Sequence, residues 1–155
     1  MGIGSALRER RIRQLGLPPF VTVDARTDVQ ETIRTMQSAK LGSVLVTEND
    51  RLVGIFTERD FIAKVAGTNT EGSRPIRDLM TPNPATLHPD DSVFDAIRLM
   101  DEHGYRNVPI VDEQGHLTGS LPVSTLIDFL AESLPQEVLA LPPRANQQFS
   151  AKDGA

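Results

Sequence analysis

The chain has no cysteine and no tryptophan. Disulfide staples and thiolate metal sites are therefore excluded. One Tyr and six Phe provide no aromatic platform for stacking single-stranded nucleic acid. The three histidines, His88, His103 and His116, are scattered without metal-ligand spacing, so no metal site is expected. No run of about 18 apolar residues occurs, which argues against a membrane span. The opening MGIGSALRERRIR has no apolar core of the secretory type. It places Gly2 and Ser5 near a myristoylation-like start, but that pattern needs a hydroxyl where Ala6 stands. A cytoplasmic location is the resulting expectation. The net charge of −5 argues against nucleic acid held by bulk electrostatics. It does not argue against one small anion held locally. There is no G-x-S-x-G elbow, no P-loop and no G-x-G-x-x-G. No catalytic constellation appears, and neither an enzyme nor a catalytic cofactor is expected.

What the chain does have is a duplication. IRQLGLPPFVTVDARTDVQETIRTM (12–36) lines up with IRDLMTPNPATLHPDDSVFDAIRLM (76–100) at a constant offset of 64 positions. After a one-residue insertion, SVLVTENDRLVGIFTERDFIAKV (43–65) lies over VPIVDEQGHLTGSLPVSTLIDFL (108–130). This alignment pairs Val46 with Val111, Leu52 with Leu117 and Gly54 with Gly119. A unit this short cannot bury a large core alone. The two copies should therefore pack face to face and leave clefts between them.

Each copy reads strand, helix, strand, strand, helix. In the first, FVTVD (20–24) is a short β-branched strand. Thr27 is placed to cap a helix with Gln30 as its partner, and Val29, Ile33 and Met36 share one helical face. SVLVT (43–47) and RLVGIF (51–56) form a hairpin, followed by a helix over 57–66 that Gly67 stops. In the second, ATLH (85–88) is a strand, and Asp91 or Ser92 caps a helix with Val93, Ile97 and Met100 inward. VPIVD (108–112) and HLTGSL (116–121) form the hairpin, and Ser124 caps the last helix. The expected organisation is an N-terminal helical segment (1–11), a first repeat (12–67), a linker (68–75), a second repeat (76–134) and a Pro-containing tail (135–155). ALRERRIRQL (6–15) reads as a basic amphipathic packing helix. The fold class is α/β (α+β), with tandem β-α-β-β-α repeats packed about a pseudo-twofold axis.

GIFTERD (54–60) is the best candidate for chemistry. At Gly54 a missing Cβ could admit a ligand to the backbone. Thr57 starts a helix, where unpaired N–H groups and the dipole favour an anion. Asp60, one turn on, has two acceptor oxygens suited to a ribose diol. The same spacing is that of an ordinary cap pair, and the residues alone leave both readings open.

The tandem repeat, with the motif Gly-apolar-x-Thr-x-x-Asp closing the first copy, resembles the cystathionine-beta-synthase (CBS) domain pair, or Bateman module. AKLGSVLVTENDRLVGIFTERD (39–60) and YRNVPIVDEQGHLTG (105–119) carry most of the likeness, which covers roughly residues 12–134. The resemblance implies a non-enzymatic regulatory module that binds AMP, ADP, ATP or S-adenosylmethionine between its repeats. It implies that Thr57 contacts phosphate or ribose, that Asp60 binds the ribose hydroxyls and that Ile55 and Phe56 line the adenine. Arg106, three positions before Pro109, would reach the phosphates, with Leu41 as its counterpart in the first copy. Arg suits that task because its planar fork of donors matches phosphate oxygens. Asn83, Pro84 and Ala85 would border the base. A homodimer through the helices is implied as well, with Phe61, Ile62, Val65, Leu126, Ile127 and Leu130 available, and so is an unidentified regulated protein.

The second copy departs from the motif. Pro122 stands in place of Thr and Thr125 in place of Asp, so its cleft is expected to be empty or weak. A competing reading is a ligand-independent dimerisation adaptor that docks a partner through EVLALPPR (137–144).

Overall fold

The computed structural model describes residues 2–133; the tail segment 137–144 lies outside them. Helix α1 (Ile3–Glu9) is followed by a 3-10 turn at Ile12–Gln14. The first repeat comprises β1 (Thr22–Asp24), α2 (Val29–Ala39), β2 (Ser43–Glu48), β3 (Arg51–Thr57) and a short helix α3 (Glu58–Phe61). A π-helical stretch, Ile62–Ala66, extends α3. After a 3-10 turn at Ile76–Asp78 come β4 (Thr81–Pro82), α4 (Val93–His103), β5 (Asn107–Val111), β6 (Leu117–Pro122) and α5 (Val123–Ser133). One sheet has the order β1-β2-β3-β4 and the other is the β5-β6 hairpin. Both repeats therefore show the expected mixed α/β plan.

Each repeat plugs its leading turn into the core of the other. Ile12 is fully buried among Leu87, Val93, Met100, Val108, Ile110 and Leu121 of the second repeat. Ile76 is fully buried among Val23, Val29, Met36, Val44 and Phe56 of the first. The backbone follows the same exchange. Ile12 N–H donates to the Asp91 carbonyl at 2.9 Å and Ile76 N–H to the Thr27 carbonyl at 2.7 Å. These donors would otherwise be unpaired in an apolar interior.

This exchange explains several departures from the expected elements. The N-terminal helix does not run through 6–15. Arg10 leaves the helical region, and its carbonyl accepts the Val93 N–H at 2.9 Å. Asp28, not Thr27, caps α2, accepting from the Glu31 N–H at 2.7 Å. The Thr27 carbonyl is engaged by Ile76, and the Gln30 N–H donates to Gly72 of the linker at 3.0 Å. Ser92 caps α4 and makes a capping box with Asp95. The expected 85–88 strand is reduced to one bridge, Leu87 to Ile110. Helix α5 begins at Val123, ahead of Ser124, with its N–H held by the Arg106 carbonyl at 2.9 Å.

The hairpins also relocate the insertion. Val46 faces Gly54 and Ile110 faces Gly119, each just before an irregularity in register. Val46 therefore corresponds to Ile110, not Val111, and the offset of 64 persists through β5. The extra residue is Gly115, in the turn, with φ of 83°. In the shorter turn the left-handed positions are Asn49 and Asp50, residue types that tolerate that region. The counterpart of Arg106 becomes Gly42, not Leu41.

Ile76→Ala should destabilise the whole chain by about 2–5 kcal/mol. Denaturant unfolding should remain a single transition, because both cores share the exchanged turns. Two separated transitions would contradict this.

Candidate functional site

Thr57 and Asp60 form the junction between β3 and α3. Asp60 N–H donates to Thr57 Oγ1 at 3.2 Å, while Thr57 N–H and O–H each donate to Asp60 Oδ2 at 3.0 Å. The pair is thus a capping box in this structure. The other carboxylate oxygen, Oδ1, accepts from the Thr81 hydroxyl at 2.9 Å and lies 3.1 Å from the Lys64 ammonium. Lys64 also donates to the carbonyls of Leu79, at 3.0 Å, and Met80, at 3.4 Å. Asp60 is 7% exposed. Burial pushes its carboxyl up, but the Thr57 N–H, the Lys64 ammonium and the hydroxyls of Thr81 and Thr57 together hold it below the ordinary carboxylate value.

Strand β4 brings the second repeat to the same place. Gly54 pairs with Pro82 and Ile55 with Thr81, and Asn83 N–H donates to the Val53 carbonyl at 3.1 Å. Asn83 takes a left-handed conformation with φ of 48°, which lets the chain turn away toward Pro84 and Ala85. Gly54, Ile55, Thr57, Asp60 and Asn83 are therefore gathered at one junction of the two repeats.

Two expected lining residues have other work. Phe56 is fully buried in the first repeat's core, opposite Val44, so it does not face a cleft. Alternation along β3 turns Ile55 the other way. At Gly54 the space a Cβ would take is filled by Met80 Sδ, with the Thr81 carbonyl 3.0 Å away. That glycine admits the chain of the second repeat, not open space.

Arg106 is exposed and makes no ion pair or side-chain hydrogen bond among the described residues. The nearby carboxylate of Glu102 lies 3.7 Å from Arg98 instead. Its neighbour Asn107 crosses between repeats, donating from Nδ2 to Ser43 Oγ at 3.0 Å and accepting from the Ser120 hydroxyl. By the hairpin register Ser43 and Asn107 are counterparts, so this bond straddles the pseudo-twofold axis.

A cavity of about 250 Å³ lies on the other side of that bond, lined by Pro18, Phe20, Leu41, Ser43, Asn107, Ser120, Pro122 and Ser124. It belongs to the degenerate motif of the second repeat, and no lining residue is charged. A hollow of about 310 Å³ between α1 and α5, lined by Glu9, Arg10 and Phe129 among others, contains none of the candidate residues. Among the described residues no group of three or more acidic or His side chains could hold a metal ion, and no helix is long and apolar enough to cross a membrane.

Sequence reading missed Lys64 and Thr81. Their counterparts around the other cleft are Phe129 and Leu17, just as Pro122 and Thr125 replace Thr57 and Asp60. All four polar members meet at one cleft, and none of them recurs at the matching positions of the other. Aligning the copies position by position would have found them.

The CBS domain profile matches residues 12–67 and 76–132. The chain belongs to the CBS-domain family. Both repeats are covered, and no catalytic domain is found beside this CBS pair. The CBS domain-containing protein YhcV of Bacillus subtilis is 30% identical over 105 residues, spanning 68% of this chain and 74% of the relative. A 33.4 kDa protein of Thermofilum pendens is 32% identical over 124 residues; the match spans 79% of this chain but only 39% of that protein. Among solved structures, CBSX2 in complex with AMP superposes with a TM-score of 0.70 at 23% identity, covering 79% of this chain and 97% of that one. The cytosolic domain of the Mg2+ channel MgtE in complex with ATP gives a TM-score of 0.67 at 24% identity, with coverages of 81% and 51%. These last two likenesses establish the fold of the CBS pair.

Asp60 ties acid stability to the site. A carboxyl whose folded pKa is depressed stabilises the protein above its unfolded pKa, and that contribution is lost as pH falls through the folded value. Thermal melts should show wild type losing stability across that acid window. Asp60→Asn should show a shallower acid limb, and equal slopes would contradict the assignment.

Proposed function

We propose that this CBS pair is a non-enzymatic regulatory module that binds an adenine nucleotide at the Thr57–Asp60 junction. The observation that carries the reading is the buried, ionised Asp60 carboxylate at a helix start where both repeats meet. A buried carboxylate is costly unless it is paired, and here three polar side chains, Thr57, Lys64 and Thr81, are assembled around it at one cleft only. In this reading Asp60 accepts the ribose hydroxyls and Thr57 contacts phosphate or ribose. Ile55, Asn83, Pro84 and Ala85 border the base. Arg106, exposed and without an ion pair among the described residues, supplies positive charge to the phosphate. The AMP and ATP bound to the structural relatives support the ligand class. So does a CBS domain pair crystallised with 5-methylthioadenosine and S-adenosyl-L-methionine. Binding would signal to a regulated protein by changing how the repeats sit together, provided the two arrangements differ in affinity for it.

Equilibrium binding of AMP should drop by well over tenfold in Asp60→Ala, the loss of a charged hydrogen-bonding group. Thr125→Ala should change it little, and Arg106→Ala should weaken AMP more than adenosine. Equal losses from Asp60→Ala and Thr125→Ala would reject the single-site assignment.

The module is also proposed to pair with a second copy of itself. Ile62 and Ile127 are 69% and 58% exposed and occupy matching positions on the closing helices of the two repeats. Leu126, by contrast, is 3% exposed in the core and serves folding alone. Light scattering should show a dimer that Ile62→Asp converts to a monomer. A wild-type monomer at micromolar concentration would remove this proposal.

A further inference from the structure

Asp60 has no acceptor position to spare. An ionised carboxylate offers about four lone-pair positions, and four donors occupy them: the Thr57 N–H and O–H on Oδ2, and the Thr81 hydroxyl and Lys64 ammonium on Oδ1. A ligand that brings a pair of hydroxyls to this carboxylate must displace donors already there. The Thr57 N–H is fixed by the start of α3. Lys64 is the movable partner, a point charge on a flexible four-carbon stem.

Lys64 is also a junction in the backbone. It sits at the centre of the π-helical stretch Ile62–Ala66, a geometry that recurs at functional sites. Its ammonium holds the Leu79 and Met80 carbonyls, while its own carbonyl accepts the hydroxyls of Thr68 and Thr70, both at 3.0 Å. One residue thus ties the closing helix of the first repeat to the linker and to the approach to β4. In the second repeat the counterpart is Phe129, buried in a regular α-helix.

We infer that Lys64 is an internal competitor for the Asp60 carboxylate: a ribose-type diol binding there displaces its ammonium and releases the hold of the first repeat's helix on the Leu79–Met80 segment. This rests on the nucleotide reading above. It gives that reading a physical trigger, because occupancy of the site and the tie between the repeats cannot both be complete.

The test measures equilibrium binding of AMP and of its 2′,3′-dideoxy counterpart, which lacks the diol. Lys64→Met should bind AMP about tenfold tighter than wild type, the scale of one hydrogen bond to a charged group. Its affinity for the dideoxy compound should be unchanged. Lys64→Arg, which keeps a cationic donor, should stay near wild type. Thr81→Val removes the other Oδ1 donor and should also tighten AMP, so it carries the test if Lys64→Met fails to fold. AMP bound no more tightly by these donor-removing variants overturns the inference and leaves the nucleotide reading standing. No AMP binding by wild type or any variant overturns both.

Discussion

Ile12 and Ile76 are each fully buried in the repeat that does not contain them in sequence. A repeat of this size has too little interior to be stable by itself, and the exchange of leading turns makes the two cores interdependent. It also dictates where the clefts lie. The chain leaving each exchanged turn must run along the β-hairpin of the opposite repeat. Thr81–Pro82 therefore pairs with β3, and the Pro18–Val21 segment lines the cavity beside β5 and β6. Both clefts are built from both repeats as a consequence of this packing.

The two clefts then diverge by substitution at matching positions. A carboxylate 7% exposed must be hydrogen-bonded or paired to remain charged. Keeping Asp60 thus requires Thr57, Thr81 and Lys64, and losing it removes the need for all three. The other cleft has Pro122, Thr125, Phe129 and Leu17 at those positions. It is left neutral, with only hydroxyls and the Asn107 amide for polar contact. The Ser43–Asn107 bond stands between the unlike sites at the pseudo-twofold axis.

Much of the architecture was legible in the chain. The duplication, the helical faces of Val29/Met36 and Val93/Met100, the hairpins and a cap at Asp91 or Ser92 follow from periodicity and local turn chemistry. What failed was whatever depended on the exchange. Thr27 looks like a cap until Ile76 takes its carbonyl. ATLH reads as a strand, yet only Leu87 bridges to β5. Phe56 sits inside a motif that suggests a ligand wall, but strand alternation turns it into the core. Gly54 reads as open backbone, though Met80 and Thr81 of the incoming chain fill the space. Lys64 carries no motif at all, because its meaning lies in carbonyls 15 and 16 residues away.

Thr57, Asp60, Lys64 and Thr81 make one polar site in the pseudo-symmetric pair, not two. Isothermal titration calorimetry of the wild-type chain with AMP tests it most directly through the stoichiometry. Saturation should come at one AMP per chain. Two equivalent sites per chain, or no heat at any concentration, would contradict it.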